Sequence, residues 1–296
     1  MAYSDSRYGQ GAGYTRRTGF RWGGLLIALL LAGYALCKYY SSSQLNEITG
    51  EEQHVGTITK EQEIALGLES APYMAQQHGG LYPDERAQAY VKKVGQKIVQ
   101  NSVVQNSGYP YDFHLLADPQ SVNAFALPGG QVFITLALFS KLENEDQLAG
   151  IFGHEIGHVI ARHGAQRMAQ QELAQGLTGA AVIAAGDYNS AQGIQMIANL
   201  ISMSYGRDQE LESDDLGVRF MYESGYKPEA LLDVMRILEA ASQGQSQPEF
   251  FSTHPSPENR LQKIQDAIDK YTRGKPLQDN KTEEPLIKLK DPNLKF

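Results

Sequence analysis

The sequence holds a single cysteine, Cys37, in 296 residues, which excludes any intrachain disulfide. Basic clusters are missing too: 26 Lys and Arg stand against 34 Asp and Glu, for a net charge of −8 and a pI near 5.4. Nucleic-acid phosphates are gripped by clustered lysines and arginines, so no nucleic-acid partner is expected. No internal repeat is present, and the aromatic residues form no RNA-binding pattern. With 42% hydrophobic and 20% charged residues the composition is that of an ordinary globular protein, neither disordered nor collagen-like. The length allows one large or two small domains, with core enough to do without disulfide staples.

Charge is missing altogether from residues 22–36 (WGGLLIALLLAGYAL). Ahead of them a Tyr/Gly/Ser-rich tail, residues 1–21, carries Arg7, Arg16, Arg17 and Arg21 against Asp5 alone and is expected to be disordered. Cys37, Lys38, Tyr39 and Tyr40 close the run, and residues 22–40 read as a transmembrane anchor or signal segment. At about 1.5 Å per residue the uncharged part falls short of a hydrocarbon core of about 30 Å. Trp22 and the tyrosines suit the interface, however, and Arg21 and Lys38 can reach back to the headgroups, so the segment just spans. A retained anchor is the preferred reading. A cleaved signal peptide is the alternative, with Gly33 and Ala35 as a small-x-small site; a lipoprotein signal is disfavoured by Leu36, which precedes Cys37 where a small residue is required. On each reading the basic tail stays in the cytoplasm and residues 41–296, which carry the surplus acid, are exported. The scarcity of cysteine fits an exported domain as well as a cytosolic one.

Residues 41–56 are polar and read as a linker. Thr59 and Gln62 make a capping box for a helix starting near Lys60, which Pro72 is expected to kink or end. Over 84–100, Ala87, Tyr90, Val91, Val94 and Ile98 recur at helical spacing. YDFHLLAD, VNAFALP and QVFIT then read as three short strands, the last two joined by Pro128-Gly129-Gly130 as a hairpin. Helices follow: a long one over 144–169, an apolar small-residue stretch over 172–185 that Asp187 cuts too short to span a bilayer, then 193–204, 207–223, 228–241 and 257–271. The loop at 241–251, rich in Gln, Ser and Gly, is expected to be flexible, and the tail 274–296 irregular. Strands early and helices late predict an α+β fold, mostly helical with a small antiparallel sheet.

Chemistry concentrates in His154-Glu155-Ile156-Gly157-His158. Two histidines at i and i+4 project from one helix face and can hold one zinc ion, while the glutamate beside the first can act on a water at the metal. A catalytic zinc needs a third protein ligand. The metzincin pattern would place a glycine and a third histidine further along, but Ala161 and Gly164 occupy those positions, so that class is excluded. His163 lies about 140° around the helix from His158, so it is not expected to reach the metal and reads as structural. A second helix, with Glu210 and Asp214 at i and i+4, supplies a glutamate for the metal and a carboxylate that can hydrogen-bond a ligand histidine. Glu212 points to its other side, and Glu212 and Glu172 are the reserve candidates for the third ligand. A plain solvated acidic helix face is the bland alternative.

The H-E-x-x-H motif, followed some fifty residues later by an R-x-x-E-x-x-x-D element, resembles the zinc metallopeptidases grouped as family forty-eight. That family includes the HtpX-type heat-shock membrane proteases, the CaaX prenyl endopeptidases and the mitochondrial inner-membrane stress protease. The run SVNAFALPGGQVFITLALFSKLENEDQLAGIFGHEIGHVIARHG is similar to that of its periplasmic quality-control branch, and the resemblance covers residues 57–273. It implies a zincin-like (gluzincin) domain holding one zinc ion per chain on His154, His158 and Glu210. Glu155 would then be the general base and acid, and Asp214 the carboxylate behind a ligand histidine. Asn123, Ala124, Phe125 and Ala126 match the family's edge strand, on which a substrate backbone is expected to lie as an added strand. Thr253-His254-Pro255 with Arg260 matches an H-P…R element near the active site. There His254 has two readings of opposite sign, a donor to the tetrahedral oxyanion or an occupant of the open metal position. Gly206 and Ser213 stand where the family usually has Ser and Ala; both changes are small and neither removes a ligand. The family's multi-span members carry four or more membrane helices, which this chain lacks. His54, His78 and His114 match nothing and are expected on the surface or in packing.

The resulting expectation is a membrane-tethered zinc metalloendopeptidase that cleaves misfolded or misassembled envelope proteins, with assembly machinery as a further partner. It would sit in a bacterial inner membrane as a single-pass protein with its catalytic domain in the periplasm. The alternative locations are a soluble periplasmic form and the mitochondrial intermembrane space. The alternative function is a zinc-bearing assembly factor with weak or gated proteolysis.

Overall fold

In the computed structural model the uncharged run forms a helix, α1 (Trp22–Tyr40), on which Leu26, Leu29, Leu30, Leu31 and Leu36 stand exposed and the buried residue is Ala28. It is long and apolar enough to cross a membrane. The structure describes residues 22–56, 58–185, 205–242, 248–273 and 285–289. The tail 1–21, the helix expected at 193–204, the middle of the 241–251 loop and most of the tail after Gly274 lie outside the described residues.

The expected linker is instead a small antiparallel hairpin, β1 (Ser43–Leu45) against β2 (Glu52–His54). Asn46 makes it: its Oδ1 accepts from the Ile48 and Thr49 N–H groups, and its Nδ2 donates to the Ile160 carbonyl at 2.7 Å. Helix α2 (Lys60–Gln77) opens on the Thr59/Gln62 capping box, and Pro72 sits inside it without ending it. The proline removes one helical hydrogen bond, to the carbonyl of Leu68, whose side chain is half exposed, so water can take the lost donor's place. Helix α3 (Glu85–Asn101), capped by Asp84, buries Ala87, Val91, Val94 and Ile98 along one face, as its periodicity requires.

A three-stranded sheet lies beneath α3, in the order β3 (Asp112–Leu116), β5 (Gln131–Thr135), β4 (Ala124–Leu127). The β4–β5 pair is the expected hairpin, turned at Gly129 and Gly130 with φ of +83° and +101°, which glycine adopts without a Cβ clash. Strand β3 runs parallel to β5, so the sheet is mixed where an antiparallel one was expected. The chain passes β5's position to the far edge before the hairpin brings it back, which leaves β4 at the edge.

Helices α4 (Leu136–Phe139) and α5 (Glu145–Ile160) follow, α5 capped by the Asn144 side chain and buried almost throughout. The single long helix expected over 144–169 is broken. Arg162 takes a left-handed φ of +53°, and α6 (His163–Ala185) starts in a new direction, absorbing the 172–185 stretch. The left-handed turn is held because Arg162 Nε donates to Glu63 and its Nη2 to the Ile58 carbonyl at 2.9 Å. Helices α7 (Arg207–Glu223), α8 (Ala230–Ser242), α9 (Glu249–Thr253) and α10 (Arg260–Thr272) complete the domain. In the tail, Pro285 bridges Asn144 and Leu286 and Ile287 pack on the core, where irregular chain was expected.

Helix α5 is the centre of the core, and its contact with α7 is made by backbone. A Cβ on Gly157 would stand 2.8 Å from the Ser213 carbonyl oxygen, and one on Gly217 3.0 Å from the His154 nitrogen. Overpacking such a contact costs about 1–3 kcal/mol. Gly157→Ala should therefore lower the melting temperature by roughly 2–4 °C per kcal/mol, read by thermal denaturation. An unchanged melting curve would mean that the helices yield freely.

Candidate metal centre

One turn of α5 brings His154 and His158 to the same face, and α7 brings Glu210 opposite them. The short loop after α9 adds His254. One ligand atom from each of these four buried residues lies within 4.8 Å of the other three. His154 Nε2 is 3.1 Å from His158 Nε2, and Glu210 Oε2 and Oε1 lie 3.5 and 3.4 Å from them respectively. His254 Nδ1 is 3.1 Å from Glu210 Oε1 and 3.4 Å from His154 Nε2.

Hydrogen bonds behind the cluster fix which nitrogens face inward. His154 Nδ1 lies 2.8 Å from Asp214 Oδ1 and donates its proton there. Asp214 is held in turn by Arg260, whose Nε and Nη2 donate to it at 2.7 and 3.0 Å. His158 Nδ1 lies 2.8 Å from His163 Nδ1, and His163 Nε2 lies 3.1 Å from Glu212 Oε2. With His163 donating to Glu212, its Nδ1 accepts from His158. Both Nε2 lone pairs therefore point at one another and at the Glu210 carboxylate. Acceptors crowded in this way repel unless a cation lies among them. Buried Glu210 Oε2, Glu155 Oε1 and His254 Nε2 also have no hydrogen-bond partner. The residues present fit a divalent metal with nitrogen and oxygen ligands.

The electrostatics agree. Burial works against charge on Glu210, yet His254, His158 and His154 hold its carboxyl far below the usual range. Burial likewise opposes charge on Asp214, and the Arg260 guanidinium keeps it ionised. Burial opposes a proton on His154, but Asp214 and Glu210 push its imidazole up; burial takes His158 well below its ordinary value. Glu155 is pushed up by burial.

His154, Glu155, His158, Glu210, Asp214, His254 and Arg260 all converge here. Glu155 Oε1 lies 3.7 Å from His254 Nε2, and the Ala126 backbone N–H reaches the Glu155 carboxyl. Edge strand β4 thus runs beside Glu155, with Phe125 stacked on Phe133. Ala124 is fully buried, and the Asn123 backbone N–H and carbonyl are both bonded to Thr135 Oγ1. A small cleft lined by Ala126, Leu127, His158 and Tyr205 adjoins the cluster. Glu172 is remote from the cluster and pairs with Lys38.

As expected, His163 stays out of the cluster; it orients His158 from behind, across the break at Arg162 that ends α5 before it. One residue escapes the sequence reading. Tyr205 stacks on the His158 ring at 4.0 Å and is pushed up to about 12 by burial. Its only sequence signal is its place just before the glutamate helix. Of the unmatched histidines, His78 pairs with Asp118, His114 with Gln131, and His54 stacks on Tyr39.

A helix-borne pair of histidines with a glutamate from a second helix, packed beside a sheet edge, defines a metallopeptidase of the zincin type. The profile of Peptidase family M48 matches residues 85–268, and the chain belongs to that family, whose metal is zinc. It is similar to the beta-barrel assembly-enhancing protease of Yersinia pestis, 31% identical over 234 residues, which are 74% of this chain and 46% of that protein. The Escherichia coli K12 protein of the same name is 29% identical over 236 residues, with 75% and 46% covered. The mitochondrial metalloendopeptidase OMA1 of Schizosaccharomyces pombe is 31% identical over 183 residues, 60% of this chain and 52% of that protein. The chain thus spans about half the length of these relatives.

Asp214→Asn should weaken zinc binding about 10–100-fold, because the amide neither fixes the His154 tautomer nor balances Arg260. Asp215→Asn, one residue on and bonded to Lys270 and Tyr271, should leave it unchanged. Chelator competition on both proteins checks this; equal affinities would remove Asp214 from the metal site.

Proposed function

We propose that the protein is a zinc metalloendopeptidase, with the ion held by His154, His158 and Glu210. The observation that carries this reading is the ring of inward-facing acceptors set beside the buried carboxyl of Glu155, whose Oε1 has no hydrogen-bond partner, and the edge strand β4. Bound zinc supplies Lewis acidity toward a carbonyl oxygen and toward water. Glu155 takes the proton of the attacking water as its oxygen adds to the peptide carbonyl, then returns that proton to the leaving amine nitrogen. Its raised pKa suits both roles. Edge strand β4, at Ala124, Phe125 and Ala126, is where a substrate backbone would be held extended. Asp214 and Arg260 keep His154 in its ligating tautomer.

His254 carries a separate reading. Its Nδ1 lies among the metal ligand atoms, and all four residues are shut away from solvent. As a fourth ligand to a bound ion it would occupy the position that water and substrate need, and the arrangement supports a resting, closed state. His254→Ala should then raise peptide turnover with zinc retained; a fall on the order of 10²-fold would make it the oxyanion donor instead.

The proposed setting is a bacterial inner membrane, with α1 as anchor, the catalytic domain in the periplasm, and misfolded or misassembled envelope proteins as substrates. The four arginines before α1 support that orientation, and the beta-barrel assembly-enhancing relatives support the substrate class. The alternative is a zinc-bearing assembly factor with weak or gated proteolysis, and the complete H-E-x-x-H motif with Glu155 beside the cluster favours the enzyme.

Glu155→Gln should keep zinc and fold and abolish hydrolysis of an unfolded protein such as casein, since an amide cannot accept the proton. Near-native turnover in that variant would overturn the mechanism.

A further inference from the structure

Helix α6 does two things along its length. Its first turns belong to the metal centre, through His163 behind His158 and Arg167 over the Tyr205 ring. Its second half leaves the domain and packs along α1. The two helices run antiparallel: Lys38 pairs with Glu172, Ala35 meets Gly176, and Leu31 lines the same cleft as Gly179 and Ala180. A Cβ on Gly176 would stand 2.9 Å from that of Ala35, so the helices touch closely.

Both helices lose their charges at one level. From Lys38 back to Trp22 on α1, and from Leu173 on to Ala185 on α6, there is no charged residue, and the last charges on each side are paired with one another. Below that pair the outward surface of α1 is Leu26, Ile27, Leu29 and Leu30, and that of α6 includes Leu177. Thr178, the polar side chain deepest in the described part, bonds back to the Ala174 carbonyl at 2.7 Å and needs no water. Gln175 lies one turn past the charged pair, within reach of headgroups.

We infer that α6 from Leu173 to Ala185 enters the bilayer beside α1, inserted from the side that carries the catalytic domain. Its occupant is the hydrocarbon of that leaflet, continuous with the lipid around α1. Thirteen residues at about 1.5 Å each reach about 20 Å into a core of about 30 Å, so the segment embeds without crossing. The insertion also sets the height of the metal centre. Nine residues separate His163 from Glu172, about 14 Å of helix, so the cluster sits just above the membrane surface. The substrates it meets are polypeptide segments lying on, or emerging from, that face of the membrane. This inference rests on α1 being a retained anchor, and the test separates the two.

The test uses the full chain with Cys37→Ser, reconstituted in phosphatidylethanolamine/phosphatidylglycerol vesicles. Nitroxide labels are placed singly at Leu30 on α1, and at Gln170 and Leu177 on α6. Helical circular dichroism and zinc content of each labelled protein verify its fold. Collision rates with oxygen, which concentrates in hydrocarbon, and with a water-soluble nickel chelate are then compared. Labels at Leu30 and Leu177 should both favour oxygen severalfold, and the Gln170 label should favour the chelate. A Leu177 label that behaves like Gln170 while Leu30 is embedded would overturn the insertion and leave the anchor standing. A Leu177 label shielded from both reagents would overturn it in favour of a protein neighbour such as a second copy. A Leu30 label in water would overturn the anchor itself and the insertion with it.

Discussion

Gly153 and Gly157 on α5 meet Gly217 and Ser213 on α7 backbone to backbone, and the site depends on that contact. Glu210 and Asp214 have short side chains, and His154 and His158 are fixed on a helix that is buried almost throughout. Only with the two helix axes this close can a carboxylate on one reach between the histidines of the other while the next turn's carboxylate reaches behind the first ring. Ser213, where the resembled family usually has alanine, keeps the contact small. It also adds a hydroxyl 3.4 Å from His163 Nδ1.

The same contact buries several ionisable groups, a costly arrangement unless each is partnered. The partners are layered. Arg260 balances Asp214, Asp214 fixes His154, Glu212 fixes His163, and His163 fixes His158. What the layers leave over is a set of lone pairs and one carboxylate facing inward, with the compensating charge to be supplied by the ion. Metal binding and folding of this region are therefore coupled, since the ion offsets a repulsion that the fold creates.

The connection to the membrane runs through Arg162. Its left-handed turn separates the zinc helix from α6, and its side chain ties that turn to Glu63 and to the Ile58 carbonyl in the segment preceding α2. Asn46 ties the hairpin after α1 to the last carbonyls of the zinc helix. The end of α5 is thus clamped between the two segments that lead toward α1, so a tilt of α1 and α6 would be felt at His158 through one short turn.

Sequence alone determined what depends on local periodicity. The spacing of His154 and His158, and of Glu210 and Asp214, places each pair on one face because a helix repeats every 3.6 residues. The capping residues Thr59, Asp84 and Asn144 set helix starts by bonds within a few residues, the glycine pair set the β4–β5 hairpin, and the uncharged run set α1. Tertiary structure decided whatever depends on residues far apart in the chain. The break at Arg162 needs Glu63, and the part played by His163 needs both that break and Glu212. The parallel partner of β5, the entry of His254 and Arg260 into the site, and the pairing of α6 with α1 all rest on contacts between distant segments. No periodicity encodes those, because their free energy comes from packing and charge compensation that exist only once the segments meet.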